Sequence, residues 1–178
     1  MRIIRGKFKG KKIYPPKNFK ARPTTDFAKE ALFNILNSNY DITKYDVLDL
    51  FAGTGNISLE FLSEGCKSIT AVEISKYYTF HIKKMFDEMF PLKGNIICAD
   101  AFSYAETENL NFDVIFADPP FNYEKIKELP EIILKNPTVK SNVLLILEHS
   151  KKNDFSDCEY FKESRKYGNI RFSFFKKS

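Results

Sequence analysis

Cysteine is scarce in this chain of 178 residues, and its spacing argues against two kinds of site. The three cysteines, Cys66, Cys98 and Cys158, lie far apart and form no CxxC or CxxH pair. An odd number of widely separated thiols disfavours a disulfide framework, and the missing close pairs disfavour a structural zinc site. We therefore expect reduced thiols, no bound metal and a cytoplasmic protein.

Long apolar runs are also missing. The longest strongly apolar run, Val143 to Leu147, is far shorter than the roughly 20 residues that span a bilayer. The charged start of the chain is not followed by the apolar segment of a secretory signal. With 43% hydrophobic and 29% charged residues, the composition is that of an ordinary globular protein. The length favours one domain over residues 1–178, without membrane insertion or secretion.

Acidic side chains are absent from the first 22 residues, although nine of the 28 basic residues lie there. The rest of the chain has 19 basic and 23 acidic residues, so an acidic body carries a basic N-terminal segment. Basic and apolar residues alternate around Gly6 and Gly10, which predicts a short hairpin extension, residues 1–22, with one basic side. A charge run is usually only a solvated arm, but this interleaving suits RNA phosphates. The candidate RNA-binding residues are Arg2, Arg5, Lys7, Lys9, Lys11, Lys12 and Arg22.

A first helix is predicted after this segment. Thr24 or Thr25 is suited to cap it, and Asp26 complements the positive end of its dipole. Apolar residues then recur at helical spacing and predict a buried face that ends near Asn39. The residues of that face are Ala28, Ala31, Leu32 and Ile35.

From Asp46 onward, short apolar runs alternate with helix-length segments. Because the runs are continuous rather than alternating, they predict strands buried on both faces, as in a parallel sheet wound with helices. Two last strands, near residues 160–161 and 170–175, are expected to pair antiparallel at one edge. The other predicted strands lie at 47–50, 69–73, 95–98, 113–117 and 143–147, and the helices near 57–65, 76–89, 122–135 and directly after Asp100.

Ligands bind such sheets outside the carboxyl ends of the strands. The first strand leads into a turn in which Gly53 and Gly55 let a ligand approach the backbone closely. Ser58 stands where the dinucleotide fingerprint requires a third glycine. This disfavours a nicotinamide dehydrogenase and favours a nucleoside ligand without a pyrophosphate.

Acids follow the next two strands. Glu73 is placed to accept hydrogen bonds from ribose hydroxyls, and Asp100 to meet an adenine amino edge. Taken singly, each feature is better read as a tight turn, a loop acid or a helix cap. Their occurrence at three successive strand ends favours a ligand site.

The fourth strand ends in Asp118-Pro119-Pro120-Phe121. Adjacent prolines make a rigid strand exit, but this does not explain the flanking acid and aromatic residue. An exocyclic amine on a nucleobase is a poor nucleophile because its lone pair is delocalised into the ring. The Asp118 carboxylate and the Pro119 carbonyl are two acceptors for its N–H groups, and Phe121 offers a stacking face for an extruded base. The pattern therefore indicates methyl transfer to an amine.

The chain resembles a known enzyme family in these features. D-x-F-x-G-x-G, an acid after the second strand and D-P-P-[FY] after the fourth are typical of S-adenosylmethionine-dependent amino-methyltransferases. More narrowly, motifs in order from Met1 to Phe175 resemble the bacterial small-subunit ribosomal RNA guanine-N2 methyltransferases, the RsmD family. These motifs include MRII at 1–4, GKFKG at 6–10, RPTTD at 22–26, EALFN at 30–34, VLDLFAGTG at 47–55, EH at 148–149 and KYG at 166–168.

The resemblance implies a Rossmann-like class I methyltransferase fold, with a mostly parallel seven-stranded sheet, over residues 23–178. It implies a monomer that uses S-adenosylmethionine to methylate the N2 amine of one guanine in 16S ribosomal RNA, within a small-subunit ribonucleoprotein particle. The segment 22–26 would help to close over the site. The implied cofactor-binding residues are Asp49, Phe51, Ala52, Gly53, Thr54, Gly55, Glu73, Ile74, Asp100, Ala101 and Thr25; the implied catalytic residues are Asp118, Pro119, Pro120 and Phe121.

The chain departs from the family pattern at few positions. Arg5 replaces an expected small residue, the ending 170–172 is more basic than usual, and Phe121 replaces a frequent tyrosine. Two other functions stay open: an amino-methyltransferase acting on DNA adenine or protein glutamine, in which Asn is commoner than Asp before Pro-Pro, or a non-catalytic RNA-binding assembly factor. His149 follows the fifth strand and is a further site candidate, whereas His81 is expected to be structural.

Overall fold

In the computed structural model, which describes residues 1–16, 24–120 and 122–177, seven strands form one sheet. The strands are β1 (Asp46–Leu50), β2 (Ser68–Glu73), β3 (Gly94–Cys98), β4 (Val114–Ala117), β5 (Leu144–Ser150), β6 (Phe161–Tyr167) and β7 (Ile170–Lys176). Their order is β3-β2-β1-β4-β5-β7-β6. β1 to β5 run parallel, and β7 pairs antiparallel with both β5 and β6, as predicted.

Helices cover both faces of the sheet. One apolar core lies between the sheet and α1 (Asp26–Asn39), α2 (Asn56–Glu64) and α3 (Lys76–Met89). A second core lies on the other face, under α4 (Ala101–Thr107) and α5 (Leu129–Lys135). Burial on both faces explains why the strand runs are continuously apolar. None of the helices in the described part of the chain is long and apolar enough to cross a membrane.

Two sequence predictions need correction. The helix predicted over 122–135 begins only at Leu129, because Pro130 has no N–H to donate within a longer helix and is tolerated only in a first turn. The buried face of α1 is also rotated. Ala31 and Ile35 are half-exposed, and the buried residues are Ala28, Lys29, Leu32, Phe33 and Leu36.

The described part of the basic N-terminal segment, residues 1–16, contains a minimal hairpin. Arg2 and Lys12 form an isolated antiparallel bridge, and the turn between them contains a short 3-10 helix, Gly6–Phe8. The N–H of Ile3 donates to the carbonyl of Lys11, and the N–H of Ile13 to that of Met1, both at 2.9 Å. Ile3 and Ile13 are buried, which holds one side of the hairpin on the domain.

Candidate active site

A cavity of about 570 Å³ opens at the carboxyl ends of the central strands. These strand ends meet at one edge of the sheet, where a doubly wound fold binds its ligands. Twelve of the residues expected in the site lie in its wall. They are Asp49, Phe51, Ala52, Gly53, Thr54, Glu73, Ile74, Asp100, Ala101, Asp118, Pro119 and Pro120.

The turn after β1 has the unusual backbone that its glycines indicated. Gly53 and Gly55 have φ values of 58° and 76°, and Phe51 has a φ of 66°, which is strained for a residue with a Cβ. The Phe51 ring lies 5.7 Å from the ring of Tyr123, which also lines the cavity. Strain of this kind is concentrated at ligand sites, and here it turns the backbone towards the cavity.

Glu73 is held in one orientation by the backbone. Its Oε2 accepts a hydrogen bond of 2.8 Å from the N–H of Gly53, and its Oε1 accepts one of 2.8 Å from the N–H of Ser75. Burial raises the pKa of Glu73, and these two N–H groups oppose that rise. The carboxyl group is therefore fixed next to the glycine-rich turn.

Asp49 at the base of the turn is buried and accepts a hydrogen bond from the Ser58 hydroxyl. Burial raises the pKa of Asp49 to about 7, although the Ser58 hydrogen bonds favour the charged form. This contact accounts for the serine at the position where a dinucleotide fingerprint has glycine.

Asp118 directly follows β4, and its neighbour on β5 is Glu148, since Ala117 pairs with Leu147. Glu148 is 2% exposed and accepts a 2.7 Å hydrogen bond from the hydroxyl of Thr24. Burial is the largest cause of a pKa for Asp118 that lies well above its usual value, and the charges of Glu148 and Asp49 raise this pKa further. Burial also raises the pKa of Glu148 to about 7.

Asp100 is both a helix cap and a cavity residue. Its Oδ1 accepts a 2.9 Å hydrogen bond from the N–H of Ser103, which caps α4, and the side chain also borders the cavity. Asp100 can therefore cap α4 and also contact a ligand in the cavity.

The charge of the cavity wall is one-sided. Four carboxyl residues line its described part, and no lysine, arginine or histidine does. Such a wall disfavours a ligand with a phosphate chain and favours a neutral or cationic one. A sulfonium-bearing nucleoside fits this requirement.

Some expected residues lie elsewhere. The hydroxyl of Thr25 caps α1 by accepting from the N–H of Ala28, while Thr24 next to it lines the cavity. Gly55 is the N-cap of α2 and is not part of the wall. Arg22 and Phe121 lie outside the described residues.

Several wall residues were not singled out from the sequence. Asn56 and Ile57 directly follow the glycine-rich turn, and that adjacency was a usable signal. The others lie far from the motifs or carry no chemistry that marks them. The wall residues in question are Asn56, Ile57, Val72, Tyr78, Phe116 and Tyr123, whereas Thr24 belongs to the segment 22–26 that the resemblance places over the site.

Two of the expected RNA-binding arginines are engaged within the protein. Arg2 Nε lies 2.7 Å from a carboxylate oxygen of Asp26, and Arg5 Nε lies 2.8 Å from one of Glu64. The lysines are exposed, and Lys7 and Lys11 each lie 5.5 Å from the ring of Phe8.

The hairpin turn packs against the end of α2 that is remote from the cavity. Gly6 lies against the backbone of Ser63, about 12 Å along α2 from Gly55. The ring of Phe8 contacts that of Phe90, just beyond the end of α3, at 4.8 Å. Lys7, Lys9 and Lys11 therefore lie away from the cavity mouth.

A buried ion pair attaches this hairpin to the domain. Lys29 Nζ lies 2.7 Å from Glu60 Oε1, and both side chains are fully buried. The same ammonium donates to the carbonyl of Arg2 at 2.7 Å and to Oδ1 of Asn56 at 3.0 Å. Asn56 in turn donates to the carbonyl of Thr24. A continuous polar network thus runs from the hairpin to the cavity wall.

His149 is not part of the cavity wall in the described structure. Its ring is buried between the carbonyl of Ser150 and the hydroxyl of Ser173, and it packs against Phe155 at 4.8 Å. These contacts give it a structural role.

Comparison with known proteins agrees with this architecture. The family model described as Conserved hypothetical protein 95 matches residues 1–176. Ribosomal RNA small subunit methyltransferase D of Buchnera aphidicola is 34% identical over 83% of this chain and 75% of that protein. The protein of the same name from Haemophilus influenzae is 32% identical over 85% of this chain and 79% of that protein.

Solved structures show the same fold. The putative methyltransferase yhhF of Escherichia coli superimposes with a TM-score of 0.85 at 24% identity, covering 100% of this chain and 98% of that one. A putative methylase of Haemophilus influenzae superimposes with a TM-score of 0.79 at 26% identity, covering 99% of this chain and 97% of that one. The Rossmann-like class I methyltransferase fold predicted from the sequence is confirmed.

Proposed function

The chain belongs to the Conserved hypothetical protein 95 family, that of the ribosomal RNA small subunit methyltransferases D, and on this premise we propose its reaction. We propose that it transfers a methyl group from S-adenosylmethionine to the N2 amine of a guanine in 16S ribosomal RNA. The observation that carries the proposal is the position of Asp118 and Pro119, which adjoin the acid-lined cavity directly at the end of β4.

The cavity wall has the groups that this cofactor requires. The glycine-rich turn would hold its methionine part, Glu73 its ribose hydroxyls and Asp100 its adenine amine. When bound, S-adenosylmethionine supplies a methyl group made electrophilic by the attached sulfonium. The carboxyl groups of Asp49 and Asp118 complement that positive charge, because no basic side chain of the described wall competes for them.

Asp118 and Pro119 would orient the guanine amine. The carboxylate of Asp118 accepts one N–H and the carbonyl of Pro119 the other, which draws the nitrogen lone pair out of conjugation with the ring. Both acceptors are held at a rigid strand exit, since Pro119 and Pro120 fix their own φ angles. As the N–C bond forms, the methyl–sulfur bond breaks and its electron pair stays on the sulfur, while the proton lost from the nitrogen passes to Asp118.

The RNA partner is proposed to be 16S ribosomal RNA presented in a small-subunit particle. The exposed lysines of the hairpin, Lys7, Lys9, Lys11 and Lys12, would contact phosphates remote from the target base. Charge reversal at these positions should reduce RNA affinity and leave cofactor binding unchanged.

The decisive experiment maps methylated nucleotides in ribosomal RNA by mass spectrometry. A deletion strain should lose one N2-methylguanine in 16S RNA, which the wild-type gene restores and Asp118→Ala does not. Calorimetric titration of the purified Asp118→Ala variant with S-adenosylmethionine checks that the cofactor site survives the substitution.

Mass spectrometry of DNA and protein from the same deletion strain, together with the calorimetric titration, separates the rival functions. A missing methyl group on DNA adenine or protein glutamine, with 16S RNA unchanged, would identify the other amino-methyltransferase class. A wild-type protein that binds RNA but not S-adenosylmethionine would be an assembly factor.

A further inference from the structure

The hairpin formed by β6 and β7 carries basic residues directly opposite each other. Lys166 is the register partner of Arg171, and Arg171 is also the partner of His149 on β5. Like charges in directly opposed positions destabilise a sheet. Neither Lys166 nor Arg171 takes part in an ion pair with any described residue, and Arg171 Nε is buried without a hydrogen-bond partner. The charge of Asp154 acts on Arg171 without a direct ion pair, and no described residue forms an ion pair with Lys166.

The tip of this hairpin lies at the edge of the sheet where the cavity opens. Ile170 pairs with Ser150 at the carboxyl end of β5, and β5 runs parallel to β4, which leads into Asp118. β7 is two strands from β4, about 10 Å across the sheet. Arg171 on β7 is thus about 10 Å across the sheet from the strand that leads into Asp118, and Lys166 lies one strand further out.

An exposed aromatic residue lies on the other face of the same hairpin. Phe27, in the first turn of α1, is 69% exposed, and its ring lies 6.1 Å from that of Tyr167. Tyr167 is anchored on Phe172 at 5.7 Å, and Phe172 is the register partner of the cavity-side residue Glu148. The Phe27–Tyr167 pair therefore lies at the edge of the sheet where the cavity opens, and Phe27 is open to solvent.

We propose that Phe27 and the β6–β7 tip contact the RNA next to the target nucleotide. Lys166 and Arg171 would bind phosphates, and the Phe27–Tyr167 pair would stack on a flanking unpaired base. This inference rests on the proposed function, since it takes the cavity as the place of the extruded guanine. A nucleotide strand matches both faces of the tip because it presents phosphates and flat bases together. An acidic peptide would match only the cations.

The test uses the full-length protein and a 16S ribosomal RNA transcript, with affinity measured at several salt concentrations. The plot of log affinity against log salt has a negative slope. In the variant Lys166→Gln/Arg171→Gln this slope should become less steep by about 1.5, because each lost phosphate contact removes roughly 0.7–0.9 of it. Phe27→Ala should weaken binding about tenfold without changing that slope. Lys135→Gln, on α5 and paired with Glu131, is the matched control and should change neither quantity.

The controls distinguish the two proposals. All variants should bind S-adenosylmethionine like the wild type in calorimetry, which shows that the fold and cavity are intact. A wild-type protein that binds the transcript, with unchanged slope and affinity in these variants, would overturn the proposed surface alone. A wild-type protein that does not bind ribosomal RNA, free or in the small-subunit particle, would overturn the proposed function itself.

Discussion

The hydroxyl of Thr24 donates a 2.7 Å hydrogen bond to Oε2 of Glu148, across 124 positions of sequence. Glu148 is the strand neighbour of Asp118, so the bond acts on the acid that we assign to the guanine amine. The hydrogen bond favours the charged form of Glu148, and the charge of Glu148 raises the pKa of Asp118. The protonation of Asp118 is thus set by residues that do not follow from its own motif.

Two substitutions that reduce the charge on Glu148 should move the acid limb of the pH dependence of methyl transfer to lower pH. Glu148→Gln removes a like charge, lowers the pKa of Asp118 and should extend activity to lower pH. Thr24→Val removes the hydrogen bond that favours the charged carboxylate of Glu148, so Glu148 carries less charge, the pKa of Asp118 falls and the acid limb should also move to lower pH, by less than in Glu148→Gln. The measurement is kcat as a function of pH between about 5 and 9 with saturating cofactor. A shift of the acid limb to higher pH in either variant would contradict this account.

Asp49→Asn should flatten the dependence of stability on pH. The pKa of Asp49 is raised to about 7 in the folded protein, so the folded state holds a proton that the unfolded state releases near pH 4. Its contribution to stability is therefore complete below pH 4 and is lost as the pH rises towards 7. We expect the free energy of unfolding, measured in urea at pH 5, 6.5 and 8, to fall between pH 5 and pH 8 by a few kcal/mol more in the wild type than in the variant. Asp87→Asn, at an exposed site on α3, should leave the wild-type slope unchanged.

Lys29→Met should destabilise the protein by about 3–5 kcal/mol, because it leaves the Glu60 carboxylate buried without its cation. Glu30→Ala, at the next and exposed position of α1, should change stability by less than about 0.5 kcal/mol. Urea unfolding of both variants checks this. Replacing Lys29 and Glu60 together by apolar residues should cost less than Lys29→Met alone, and a larger loss in the double variant would contradict the assignment.

Two glycines of the N-terminal hairpin form a matched pair for testing how it docks. A Cβ at Gly6 would lie 1.9 Å from the carbonyl oxygen of Ser63, whereas one at Gly10 would meet no atom within 4 Å. Both have positive φ, so Ala at either position costs about 1–2 kcal/mol of backbone strain. Gly6→Ala should lose distinctly more stability than Gly10→Ala and detach the hairpin. The readouts are urea unfolding and hydrogen exchange of the Ile3 and Ile13 amides, and equal losses in the two variants would show that Gly6 does not dock.

Much of the fold was predictable because its signals are local. The strands are continuous apolar runs, and the helix caps are short polar residues next to the helices they begin. The sequence predicts α5 to begin too early, because the helix-length segment extends beyond Pro130, which is tolerated only in the first turn of a helix. The buried face of α1 was misassigned because it includes Lys29, and a lysine is read as solvent-facing until its partner Glu60 is known.

The candidate site, like the fold, has a part that local sequence predicts and a part that it does not. The sequence by itself determined a glycine-rich turn and acids at the ends of successive strands, because those residues lie within a few positions of strands that can be recognised. Only the tertiary structure decided that Thr24 donates a hydrogen bond to Glu148, the strand neighbour of Asp118. The same holds for the ion pairs of Arg2 and Arg5. The tertiary structure also decided that the buried lysine, Lys29, pairs with Glu60 and not with an acid of the cavity wall. The physical reason is that burial and charge pairing depend on contacts between distant segments, which no local pattern records.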